Sequence, residues 1–230
     1  MNPQHSSLEQ RAKAPDAQLT ALSTETDVSI NDVKTSYRRW AGVYDAVFGA
    51  VLEDGRRKLL AHVNTLKPAR LLEMGVGTGL LLPKYPSDTE VIGVDISDDM
   101  LALARQRIAK HNLSRTSVQL DDCEKLSFDT ASFDCVVLPY ILSVTPRPRA
   151  LIDEAIRVCK PDGHIIIANH FSGSKTWAAL EKIAAPVAAK IGFRSSFSYD
   201  EHIVQTPLKV VSLERANLLG LSKVVVSKPS

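Results

Sequence analysis

Leu71-Leu72-Glu73-Met74-Gly75-Val76-Gly77-Thr78-Gly79 decides how this chain is read, because a short apolar run passes directly into three alternating glycines. Such a run suits a buried strand, and glycine lets the backbone turn sharply and lie against a ligand where a Cβ would clash. The spacing is not GxGxxG, since the third glycine comes one residue early. Taken alone, the loop is also compatible with a tight strand-to-helix turn that binds nothing. Val91-Ile92-Gly93-Val94-Asp95-Ile96-Ser97 forms a second apolar strand, whose acid, Asp95, lies sixteen residues past Gly79. In an open α/β sheet that end faces the ligand crevice, where a carboxylate can accept hydrogen bonds from both hydroxyls of a ribose. An isolated acid there would more often cap a helix; beside the glycine loop it reads as a ligand contact.

Outward from this pair, short apolar runs alternate with helical patterns. Strands are predicted at Arg70 to Met74, Glu90 to Ile96, Ser117 to Leu120, Phe133 to Leu138 and His164 to Asn169. Helices are predicted at Gly79 to Lys84, Asp98 to His111 and Pro148 to Cys159, and Lys160-Pro161-Asp162-Gly163 reads as a turn. The alternation predicts an α/β fold, a mostly parallel sheet covered by helices on both faces. Upstream, Tyr37, Trp40, Val43, Tyr44, Val47, Phe48, Val51 and Leu52 share one half of a helical wheel, with Arg38 and Arg39 on its polar side. A second helix, about Gly55 to Leu66, ends at Lys67-Pro68. Lys175 to Ile191 reads as a basic amphipathic helix, and Lys209 to Leu213 with Leu221 to Ser227 as a final strand pair. Residues 1–29 lack hydrophobic periodicity and read as a disordered tail, which leaves 30–66 as amphipathic helices and 67–230 as the main domain.

The 230 residues are 44% hydrophobic and 23% charged, which fits a globular chain and neither a disordered nor an integral membrane protein. The first residues lack the basic start and apolar stretch of a signal peptide, so a cytoplasmic location is expected. Cys123, Cys135 and Cys159 show no CxxC or Cys/His spacing, so neither a disulfide framework nor a metal is expected. Residues 172–230 carry eight basic against four acidic side chains, while residues 61–171 carry twelve against fourteen. That argues against a continuous nucleic-acid groove and allows a basic face for an anionic surface.

A third motif, Asp121-Asp122-Cys123-Glu124-Lys125-Leu126-Ser127-Phe128, follows the third strand. With it the sequence resembles the class I S-adenosylmethionine-dependent methyltransferases: ExGxGxG, the strand-two acid and D-[AC]-E-x-L-x-F occur in order over about residues 68–170. The resemblance implies a Rossmann-like, seven-stranded, mostly parallel sheet. It implies S-adenosyl-L-methionine as cofactor, leaving S-adenosyl-L-homocysteine. It also implies that Glu73, Gly75, Gly77, Thr78 and Gly79 receive the methionine portion, that Asp95, with Ile96 and Met100, lies at the ribose, and that Asp122 and Cys123 meet adenine. Leu138 and Tyr44 complete the implied cofactor contacts. Cys123 stands where alanine is commoner, which is compatible because its backbone amide is the expected contact.

Tyr37 to Gly49, Leu138-Pro139-Tyr140-Ile141-Leu142-Ser143-Val144 and Asn169-His170-Phe171 look like the bacterial phosphatidylethanolamine N-methyltransferases that attach to membranes. Quinone-ring C-methyltransferases share the Tyr-Asp-x-x-Phe element and are the alternative; a non-catalytic cofactor-binding membrane protein is a further one. The phospholipid resemblance implies N-methylation of phosphatidylethanolamine and its mono- and dimethyl products, with no obligate protein partner. Tyr44, Tyr140 and His170 are the candidates for orienting the amine or taking its proton, and packing is the plainer role for each. Arg38, Arg39 and Trp40 on the first helix, with Trp177 and Lys182 on the later one, are the candidate membrane contacts, implying peripheral attachment to the inner face of the membrane.

Overall fold

The structure is a computed structural model that describes residues 52–171, 198–217 and 220–230. Seven strands form one sheet: β1 (Arg70–Met74), β2 (Glu90–Asp95), β3 (Thr116–Leu120), β4 (Phe133–Pro139), β5 (Cys159–His170), β6 (Leu208–Ala216) and β7 (Ser222–Pro229). Their spatial order is β3-β2-β1-β4-β5-β7-β6. The first five run parallel, and β7 is antiparallel to both β5 and β6. Helices α1 (Glu53–Leu66), α2 (Asp98–Lys110) and α3 (Pro148–Val158) cover the sheet.

Because side chains alternate along a strand, the apolar runs feed two cores at once. Leu71, Val137 and Ile166 face Leu59 and Val63 of α1 and Leu101 of α2. Leu72, Val136, Ile165 and Ile167 face Leu151, Ile152 and Ala155 of α3. Strand order reverses direction between β1 and β4, which places the ligand crevice of an open sheet beyond their carboxyl ends.

Two expectations change. The helix expected over Gly79 to Lys84 is a single 3-10 turn, Leu82–Lys84, because Gly79 has a positive φ of 76° and Pro83 offers no amide for a longer ladder. Lys160 to Gly163 is not a separate turn but part of the long β5, whose pairing with β4 shifts register between Phe133 and Cys135. The expected tail, the amphipathic helix through Tyr44 and the helix over Lys175 to Ile191 lie outside the described residues, apart from Leu52 at the first helix's end.

Candidate functional site

Gly75 and Val76 both donate their amides to the Val94 carbonyl at 2.9 Å, which folds the loop after β1 over the end of β2. Its glycines differ in what they permit. A Cβ at Gly79 would sit 2.8 Å from Leu82 Cδ1 and against the Ala104 backbone, so that glycine serves close packing on α2. A Cβ at Gly75 would come within 2.6 Å of Ile141, which lies over it from the loop after β4. At Gly77, φ 54°, a Cβ would meet nothing within 4 Å: this part of the loop borders open space.

Asp95 closes the loop from the side. Gly77 N–H donates to its Oδ2 at 2.9 Å and Ser97 N–H to its Oδ1 at 3.0 Å. The Ile96 amide is a third backbone donor to this carboxylate, which with about four lone-pair sites keeps room for a further donor. Burial pushes the Asp95 carboxyl upward, opposed by those backbone bonds. The third motif joins here too, since Asp121 N–H donates to the Asp95 carbonyl at 3.1 Å. Asp122 Oδ1 accepts from Glu124 N–H at 2.9 Å, and Glu124 in turn binds Arg147 and Thr145. Cys123 is buried with its thiol against the Gly75 amide, and burial drives that thiol far up in pKa. Loops distant in sequence thus line one end of the sheet.

Glu73 lies beneath the glycines, 2% exposed. Burial pushes its pKa to about 8, against the pull of Tyr85 and Arg56 and with help from the Asp95 charge. The buried Tyr85 hydroxyl is the neighbour of the Glu73 carboxyl. Thr78, Met100 and Leu138 are buried, and Ile96 is half-buried. A buried carboxyl below the loop, the Asp95 carboxylate beside it and open space at Gly77 fit a ligand with an ammonium group and a ribose.

The other half of the crevice is held by hydrogen bonds. Tyr140 follows β4 with φ 64°, a left-handed conformation uncommon for an aromatic residue, and its amide donates to Ala168 O at 2.7 Å. Its ring lies 5.3 Å from that of His170. Asn217, at the end of β6, connects them: its Nδ2 donates to the Tyr140 hydroxyl at 3.0 Å and to Ser222 Oγ at 2.7 Å. The Gly55 amide donates to Asn217 Oδ1 at 3.0 Å, which fixes the orientation of that side-chain amide. Ser222 Oγ lies 2.7 Å from His170 Nδ1. Since Ser222 already accepts from Asn217, its own proton is available for Nδ1. Burial lowers the His170 pKa to about 4, so the ring is neutral near pH 7.

Tyr140 and His170 are therefore brought together, while Tyr44, Arg38, Arg39, Trp40, Trp177 and Lys182 lie outside the described residues. Sequence reasoning missed Asn217 and Ser222, for which no local motif exists. Among the described residues no cluster of three His, Cys, Asp or Glu suits a metal, and no helix is long and apolar enough to cross a membrane.

The fold and site define a class I S-adenosylmethionine-dependent methyltransferase. A SAM-dependent methyltransferase from Thermotoga maritima superposes with a TM-score of 0.64 at 22% identity, covering 85% of this chain and 99% of that one. Residues 72–167 match the family described as methyltransferase domain. A phosphatidylethanolamine N-methyltransferase from Cereibacter sphaeroides is 39% identical over 80% of this chain and 91% of that protein. The chain belongs to this methyltransferase family, and its cofactor is S-adenosylmethionine. A demethylmenaquinone methyltransferase from Bacteroides fragilis is 26% identical over 63% of this chain and 62% of its own length.

Proposed function

We propose that the protein methylates the amine of phosphatidylethanolamine, and of its mono- and dimethyl products, at a membrane surface. The observation that carries this reading is the similarity to the phosphatidylethanolamine enzyme across nearly that protein's whole length. Bound S-adenosylmethionine supplies a methyl group already activated on a sulfonium, so the protein's tasks are alignment and exclusion of water. Asp95 receives the ribose on the carboxylate that the Gly77 and Ser97 amides orient. Asp122 and the Cys123 amide hold adenine, Gly75 to Gly79 cradle the methionine portion, and the Glu73 carboxyl buried beneath them faces its ammonium group. Tyr140 and His170 border the amine, and Tyr44 closes over it from the amphipathic helix. Arg38, Arg39, Trp40, Trp177 and Lys182 attach the protein to anionic lipid on the cytoplasmic side.

Methyl transfer from labelled cofactor to vesicles containing phosphatidylethanolamine tests the reading, with a demethylated quinone in parallel vesicles. Product in the phospholipid alone is expected. Product in the quinone alone would replace this reading with ring C-methylation, and cofactor binding without either product would leave a non-catalytic protein.

A further inference from the structure

On the opposite face of β5 and β7 from His170 and Ser222, the strand ends carry Asn169, Phe171 and Lys223. Asn169 and Lys223 are register partners on adjacent antiparallel strands. Asn169 is completely buried; its Nδ2 donates to the His170 carbonyl at 2.8 Å, and its Oδ1 has no hydrogen-bond partner. The Lys223 ammonium sits 4.1 Å from the Tyr199 ring centroid and 5.6 Å from that of Phe171. Those two rings meet edge-on at 5.3 Å. Lys223 makes no ion pair with any described residue, although Asp200 and Arg215 contribute to its surroundings. An acceptor lacking a donor thus adjoins a cation that forms no ion pair with a described residue, Asp200 acting on it only at longer range, at strand ends that border the crevice. Buried unsatisfied acceptors are rare enough in folded proteins to require a reason.

The chemical complement of this pair is an N–H donor a short distance from an anion, with apolar or cationic surface against the rings. We propose that Asn169 and Lys223 form a subsite for a phosphoethanolamine headgroup, resting on the phospholipid reading above. The amine lies over the ends of β5 and β7, between Tyr140 and His170 on one face and Asn169 on the other; Asn169 Oδ1 accepts one of its N–H groups, and Lys223 takes the phosphodiester. The Phe171 and Tyr199 rings wall the nitrogen, their faces suited to a methylated ammonium. The assignment has an inbuilt asymmetry. As neutral amines, phosphatidylethanolamine offers two N–H groups, its monomethyl product one and its dimethyl product none. Asn169 therefore orients the nitrogen for the first two transfers and has nothing to hold in the third.

The test uses the full chain with S-adenosylmethionine, and each variant's cofactor affinity and thermal midpoint report whether it is folded. Substrates are phosphatidylethanolamine and its mono- and dimethyl forms in vesicles, and glycerophosphoethanolamine as the soluble ester. Lys223→Gln should raise KM about tenfold for lipid and soluble ester alike with kcat little changed, the size expected for one charge-assisted hydrogen bond. Asn169→Leu should slow the first two transfers by about tenfold and spare the third. A Lys223→Gln penalty on vesicles alone would overturn the subsite, making Lys223 a general contact to the lipid surface. So would equal slowing of all three transfers in Asn169→Leu, or wild-type kinetics in both variants. If the wild-type protein binds cofactor yet methylates neither phosphoethanolamine compound, the phospholipid reading itself fails, a result distinct from the others.

Discussion

Burial holds the Glu73 carboxyl up near about 8 and the His170 imidazole down near about 4, with opposite consequences for stability. Between pH 4.5 and about 8 the folded state binds more protons at Glu73 than the unfolded chain, so this residue's contribution falls as pH rises. Between about 4 and 6.5 the unfolded chain binds more protons at His170, so that contribution rises with pH. The two slopes oppose each other up to pH 6.5, and above it Glu73 acts without that opposition. The wild-type protein without cofactor should lose about 2 kcal/mol between pH 6.5 and 8 through Glu73. Glu73→Gln removes the ionisation while keeping the shape, so urea unfolding at the two pH values should show a flatter dependence. Identical slopes in variant and wild type would mean that Glu73 does not stay protonated in the fold. Beside it, Asp95→Ala should weaken S-adenosylmethionine binding by about 1.5 to 3 kcal/mol in calorimetry, the scale of a lost charged hydrogen bond. Unchanged affinity would remove Asp95 from the cofactor site.

At the scale of elements, α1 depends on a residue far along the chain. Leu52 at its N-cap offers no capping side chain, and the Gly55 amide is satisfied by Asn217 Oδ1 instead. Asn217 N–H in turn donates to Asp54 Oδ2 at 2.8 Å, a reciprocal arrangement like a capping box assembled across the fold. Asn217→Ala removes that cap and the donor to the Tyr140 and Ser222 hydroxyls, a loss of about 2 to 4 kcal/mol. Thermal or urea unfolding measures it, and a change under about 0.5 kcal/mol, typical of an ordinary surface position, would show that water replaces the network. Gly55 has a different constraint. Alanine favours a helix interior over glycine by about 1 kcal/mol, yet a Cβ here would lie 1.9 Å from the Tyr140 hydroxyl. Gly55→Ala should therefore destabilise the protein, and adding Tyr140→Phe should recover part of the loss. Additive effects in that double mutant would mean that the two positions do not press on each other.

For the whole molecule, strand order divides the crevice into a half at the ends of β1, β2 and β3, where the proposed cofactor residues lie, and a second half at the ends of β4, β5, β6 and β7. Attachment to a bilayer would add a surface term to both binding steps. With each basic residue near anionic lipid worth about 1 kcal/mol, Arg38→Glu with Arg39→Glu should sharply reduce sedimentation with anionic vesicles, as should salt. Cofactor affinity should survive if the helix is only an anchor and fall if Tyr44 covers the site. Indifference of sedimentation to lipid charge, salt and substitution would exclude electrostatic attachment through these arginines. The α/β class, most strand positions, the glycine loop, Asp95 and the Asp122-Cys123 loop were legible in the sequence. Hydrophobic period and turn chemistry are local properties, and these motifs sit at strand ends by construction. Local pattern also misled, where Gly79 and Pro83 reduce an expected helix to one 3-10 turn and where β5 runs through Lys160 to Gly163. Asn217 capping a helix 162 positions away, Ser222 meeting His170, and Lys223 standing beside Asn169 were decided by tertiary structure alone. Those pairings depend on the antiparallel register of β7 against β5 and β6. That register arises from burying Val224, Val225 and Val226 between two cores, a constraint that acts only once distant strands have met.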